Sequence, residues 1–226
     1  MKSVKKRTYG LKKLGIINPT RVYRNLSPAI LVEKAIERGE GTLSSTGALV
    51  VTTGKYTGRS PEDKFIVDTE AIHDSIAWGK VNKPISKEKF DFIYSKVIAY
   101  LQNREIFVFD GFAGADPTCR LKFRIVNELA SQNLFIQQLL IRPTKEELVN
   151  YAKEDYTIIA APGFKCNPET DGVNSEAAII IDYEAKKVVI CGTQYSGEIK
   201  KSVFCIMNYL MPERDVLPMH CSANMD

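Results

Sequence analysis

Apolar positions along the chain switch repeatedly between a spacing of three to four residues and strict alternation, with glycine, proline and small polar residues at the switches. Ser27-Pro28 opens a helix, a hydroxyl at the cap and proline at the first position, and Gly39 can close it. Gly47 to Thr53 and Lys64 to Asp68 read as two strands flanking a glycine-rich loop. Phe90, Ile93, Val97 and Leu101 recur at helical spacing, which predicts an amphipathic helix over Lys87 to Asn103, followed by a strand over Glu105 to Phe112. Leu121, Phe123 and Ile125 alternate with Lys122 and Arg124, the pattern of a half-buried strand. Glu128 to Phe135 turns helical, and Gln138 to Arg142 reads as a strand. Thr144 with Glu147 forms a capping box for a helix running to about Lys153. Strands are expected at Thr157 to Ala161, Ala177 to Tyr183 and Lys187 to Cys191, then a helix from Glu198 to Leu210 before Pro212.

Strands interleaved with helices imply an α/β fold: a mixed β-sheet of six or more strands with helices packed on it. No repeat or low-complexity linker interrupts the pattern, so residues 1–216 are expected to form one domain, with 217–226 leading into something else. The longest apolar runs, such as Ala177 to Ile181, are far too short to span a bilayer, and the charged N-terminus has no apolar core of a signal peptide. Five cysteines without a C-x-x-C pair fit reduced thiols and a cytoplasmic location better than a disulfide framework or a zinc site. Two histidines exclude a His-rich metal centre.

Charge changes the picture only at the N-terminus. The net +4 arises because Lys2, Lys5, Lys6, Arg7, Lys12, Lys13, Arg21 and Arg24 precede any acidic residue, leaving the remainder with an acidic excess. Such an arm could touch nucleic acid or an anionic membrane. No aromatic-interleaved basic motif follows it, so a solvated extension is favoured, with no nucleic-acid or membrane partner.

Three constellations could carry chemistry. Gly54-Lys-Tyr-Thr-Gly58-Arg59-Ser-Pro61 has three residues between its glycines and then an arginine, so it is not a Walker phosphate loop. An arginine held on such a loop can grip a carboxylate or phosphate bidentately, although a surface arginine in a turn is the simpler reading. In Gly192-Thr-Gln-Tyr195-Ser-Gly-Glu-Ile-Lys200-Lys201, two lysines open an apolar helix, where their charge opposes the positive end of the helix dipole. That conflict suits a site built to receive several negative charges, and crowded ammonium groups beside a divalent cation give up a proton more readily, freeing a lone pair for the metal. Met219-His220-Cys221-Ser222-Ala223-Asn224 supplies a lone histidine; a thiolate role for Cys221 is disfavoured in a hard, oxygen-rich phosphate site.

Taken in order, LSSTGALVVTTGKYTGRSPEDKFIV, WGKVNKPIS, FDGFAGADP, IRPT, NSEAAIII, GTQYSGEIKKSVF and MHCSAN resemble the ATP-dependent phosphoenolpyruvate carboxykinases, from about Asn18 to Asn224. The resemblance implies a lyase of gluconeogenesis that converts oxaloacetate and ATP to phosphoenolpyruvate, ADP and CO2, with Mn2+ and with Mg2+ carried by ATP. It implies that Arg59 binds a substrate carboxylate, that Tyr195 lines the substrate and CO2 pocket, and that Lys201 and His220 are Mn2+ ligands close to the γ-phosphate of ATP. Lys200 would neutralise charge during phosphoryl transfer. Members of the family usually carry Trp-His where Ser131-Gln132 follows Ala130 here, a departure expected to affect local packing. By the same resemblance, the phosphate loop, a metal-binding aspartate and the adenine site belong to a C-terminal nucleotide-binding domain that 217–226 would begin. The isolated chain is therefore expected to be inactive; the competing reading is a standalone dicarboxylate- or phosphate-binding module.

Overall fold

The computed structural model describes residues 9–151, 153–221 and 224. Lys2, Lys5, Lys6 and Arg7 of the basic arm, with Ser222 and Ala223, lie outside the described residues. The elements run in the order β1 (Arg21–Arg24), α1 (Pro28–Glu37), β2 (Gly41–Leu43), β3 (Leu49–Val51), β4 (Lys64–Val67), β5 (Lys83–Ile85), α2 (Lys87–Tyr100), β6 (Glu105–Ala113), β7 (Leu121–Asn127) and α3 (Ala130–Leu139). They continue with α4 (Lys145–Val149), β8 (Tyr156–Ala161), α5 (Pro168–Asp171), β9 (Ala178–Asp182), β10 (Lys187–Cys191) and α6 (Gly197–Leu210).

Eight strands form one mixed sheet in the order β1-β6-β7-β8-β10-β9-β4-β5, and β2 with β3 makes a separate two-stranded ribbon. The sheet is the expected α/β mixed sheet. Helices cover both faces, because the central strands are apolar on both sides. One face packs Val108, Ile159 and Val189 against Phe90, Ile93 and Val97 of α2. The other packs Ile125, Ile158 and Ile190 against Ile199, Val203 and Ile206 of α6. α1 and α3 meet through Leu31, Ala35, Ala130 and Leu134. Among the described residues no helix is long and apolar enough to cross a membrane.

Several local expectations are corrected. Pro28 does occupy the first turn of α1, but the Ser27 hydroxyl makes no cap hydrogen bond. The strand expected at Gly47 to Thr53 shrinks to β3 and pairs with β2 rather than joining the main sheet. No strand forms at Gln138 to Arg142: α3 runs on through Leu139, and only Ile141 reaches the sheet, bridging Phe112. α4 carries the full Thr144–Glu147 capping box yet stops at Val149. There the chain turns inward, and the buried Tyr151 hydroxyl reaches the carbonyls of Gly111 and Phe123, 2.9 Å each. On β7, Lys122 faces solvent as the alternation implies, whereas Arg124 is buried. Its guanidinium is held by Asp110, the residue opposite it on β6, at 2.8 and 2.9 Å.

Candidate functional site

β10 lies inside the sheet, and its last residue, Cys191, pairs with Ala178 of β9. Lys64, the first residue of β4, pairs with Ile179 on the other side of β9. Because β9 is antiparallel to β10 and parallel to β4, the loop entering β4 and the loop leaving β10 emerge at the same end of the sheet. The first carries Arg59 and the second carries Tyr195 and leads into α6. Crevices outside the carboxyl ends of strands are the usual ligand sites of α/β sheets.

The loop after β10 is shaped by glycines at two points. Gly192 has φ +71°, and a β-carbon there would lie 2.1 Å from the Glu176 carbonyl oxygen. Alanine at Gly192 is expected to destabilise the fold by about 3 kcal/mol, from strained backbone plus steric overlap. A urea midpoint that implied a loss below about 0.5 kcal/mol, the range of neutral surface changes, would show that the turn does not need glycine. Gly197 opens α6 beneath the Tyr195 ring, whose Cε1 would be 2.4 Å from an added β-carbon. Gln132 of α3 is buried and donates from Nε2 to the Gln194 carbonyl at 3.2 Å. The Ser131-Gln132 departure thus touches the backbone beside Tyr195, not packing alone.

Arg59 sits exposed between the half-buried Gly58 and Ser60. The Ser60 N–H donates to Glu198 Oε1 at 2.7 Å, tying the Arg59 loop to the first turn of α6. Glu198 is buried, and burial pushes its carboxyl above the ordinary carboxylate range; the Ser60 N–H bond, Arg59 and Lys64 pull the other way, and Asp63 adds to the rise. Glu198 was not singled out in the sequence, where it reads as an ordinary acidic residue in a helical first turn. Lys64 likewise reads in the sequence as an ordinary strand residue; its Nζ lies 3.4 Å from both Asn82 Oδ1 and Cys205 Sγ.

Lys200 and Lys201 are half-buried on α6. Successive helical residues diverge by about 100°, and the two lysines part accordingly. Lys200 lines a cavity of about 300 Å³ that it shares with His220, Phe204, Val203 and Met207. Lys201 instead sets its Nζ 5.1 Å from the Phe204 ring centre. His220 meets the same ring edge-on, with centres 5.8 Å apart. Phe204 is therefore common ground for Lys201 and His220. Arg59 and Tyr195 do not line that cavity; the Ser60–Glu198 bond ties the Arg59 loop to the helix that carries the lysines.

Among the described residues, Arg59, Lys200 and Lys201 make no ion pair. Arg24 and Arg124, by contrast, are both spoken for by the buried Asp110. Three unpaired cations around the carboxyl end of a strand suit an anionic ligand. As donors for a divalent ion, Lys201 and His220 offer two nitrogens, which fits part of a coordination sphere. Among the described residues no group of three His, Cys, Asp or Glu side chains completes one.

The chain matches the family model described as phosphoenolpyruvate carboxykinase over residues 20–226. It is 65% identical over 218 residues to phosphoenolpyruvate carboxykinase (ATP) of Fusobacterium nucleatum, covering 96% of this chain and 41% of that relative. It is 61% identical over 218 residues to phosphoenolpyruvate carboxykinase (ATP) 1 of Moorella thermoacetica, with the same coverage. The Caldanaerobacter subterraneus phosphoenolpyruvate carboxykinase (ATP) is 59% identical over 215 residues, covering 95% of this chain and 41% of that protein. The chain thus spans about 41% of the length of these relatives.

Proposed function

Because this chain belongs to the ATP-dependent phosphoenolpyruvate carboxykinase family, we propose that it forms the substrate- and metal-binding part of an enzyme converting oxaloacetate and ATP to phosphoenolpyruvate, ADP and CO2. In this reading residues 1–216 are the substrate-binding domain and 217–226 open the stretch toward a nucleotide-binding domain, in a cytoplasmic protein. The observation that carries it is that Arg59, on the loop entering β4, and Lys200 and Lys201, on α6, none in an ion pair among the described residues, are brought to one end of the sheet by the Ser60–Glu198 latch.

Arg59 grips a carboxylate of oxaloacetate, its planar fork matching the two oxygens, and Tyr195 bounds the pocket in which CO2 is released. Lys200 and Lys201 stabilise the negative charge that spreads over the transferring phosphoryl group. Lys201 and His220 would hold Mn2+, which when bound supplies Lewis-acid polarisation of enolate and phosphoryl oxygens, while Mg2+ accompanies ATP.

Arg59→Ala in the full-length protein is expected to raise the KM for oxaloacetate about 100-fold, the loss of two charge-assisted hydrogen bonds. Arg59→Lys should recover only part of that, because an ammonium cannot reproduce the fork. Steady-state kinetics with varied oxaloacetate decide it. An Arg59→Ala enzyme with unchanged KM would remove Arg59 from the substrate site.

A further inference from the structure

Arg59 presents a puzzle that its loop alone does not solve. The guanidinium must stand at a fixed place to orient a substrate, yet the side chain is exposed and makes no ion pair among the described residues. Gly54, at the start of the loop, takes φ +63°, a conformation open to glycine. Tyr56, near the base, bonds Ser175 through its hydroxyl at 3.1 Å. Fixing each further residue of such a loop costs about 1–2 kcal/mol of backbone entropy, so something must hold the segment that carries Arg59.

We infer that Glu198 is the residue that positions Arg59 for substrate, by anchoring the neighbouring Ser60 amide to the first turn of α6. The bond spans 138 positions of sequence and joins the loop entering β4 to the helix that carries Lys200 and Lys201. Glu198 is only 6% exposed, and a carboxylate is not buried without a task that offsets its desolvation. It lies within electrostatic reach of Arg59 and Lys64 without forming an ion pair with either, so the fork of Arg59 stays open to an incoming carboxylate. The neighbouring Asp63 is engaged by the Ser60 hydroxyl, which pins the same residue from the other side. One side chain thereby sets the spacing between the carboxylate-gripping arginine and the two lysines of α6.

This role rests on the carboxykinase reading, and three measurements on the full-length protein separate the two. Glu198→Ala is expected to raise the KM for oxaloacetate about tenfold, the loss of one charge-assisted hydrogen bond, and to leave the KM for ATP within about twofold. Glu198→Gln keeps an acceptor for the Ser60 N–H and should restore most of the oxaloacetate KM. Hydrogen exchange at the Ser60 amide needs no turnover and should quicken in Glu198→Ala. Unchanged exchange, or faster exchange with an unchanged oxaloacetate KM, overturns the positioning role and leaves the carboxykinase reading standing. Equal rises in both KM values with a lowered melting temperature and no recovery in Glu198→Gln would make Glu198 a folding residue and overturn it as well. A wild-type protein that forms no phosphoenolpyruvate overturns the carboxykinase reading together with the substrate role given to Arg59.

Discussion

Alanine at Lys201 or at His220 is expected to lower phosphoenolpyruvate formation by about a thousandfold in the full-length protein, with the fold left intact. The size follows from the job: removing one preorganised group aimed at developing charge costs about 10²–10³ in rate, and loss of a metal donor adds to it. The specificity follows from the surroundings. Lys201 touches the Phe204 ring but makes no ion pair among the described residues, and His220 is exposed. Neither truncation leaves a buried partner unsatisfied, so each should shift stability by no more than about 0.5 kcal/mol. The two variants should also need more Mn2+ for half-maximal rate, whereas Lys200→Ala, which removes charge without removing a proposed metal donor, should not. Coupled assays across a Mn2+ titration, beside a melting curve, make the comparison. Turnover within tenfold of wild type would take Lys201 and His220 out of the phosphoryl-transfer site.

What the sequence revealed and what it hid divide along the range of the interaction. The Thr144–Glu147 capping box, proline at the start of α1 and the alternating apolar strands depend on near neighbours, and all appear where the spacing implies. The motif around Lys200 and Lys201 is equally local, and α6, Gly197–Leu210, begins one residue before the expected Glu198. Apart from the Ser27 hydroxyl, which makes no cap bond, misreadings occur where a distant partner decides. Arg124 alternates like a solvent-facing residue and is buried because Asp110 stands opposite it. Gln138 to Arg142 has the residues of a strand, yet it lies at the end of a helix that α1 packs against. Glu198 gave no signal, since its partner amide is 138 positions away. The candidate site shows the same division: its cations could be picked out one by one, but the latch that relates Arg59 to α6 required the register of β10, β9 and β4.

The largest effect on stability is expected far from that site, at Asp110. Its carboxylate is fully buried and accepts from two guanidinium groups, Arg24 Nε at 2.6 Å and Arg124 Nε and Nη2 at 2.8 and 2.9 Å. Arg124 is itself only 7% exposed, and its other acidic neighbour, Glu154, stands 3.5 Å from Nη1. Asp110→Ala therefore strands a buried cation, a change that costs about 3–5 kcal/mol. In a protein of this size that lowers the melting temperature by about 6–20 °C. Asp110→Asn keeps the shape but loses the charge and one acceptor oxygen, its NH2 facing guanidinium donors, so it should recover only part of the stability lost in Asp110→Ala. Replacing both partners, Asp110→Ala with Arg124→Leu, removes the stranded charge and should be less destabilising than Asp110→Ala alone. Melting curves of the three variants test this directly: a double variant less stable than the single one would mean that Arg124 is held by its packing and Glu154, not by Asp110.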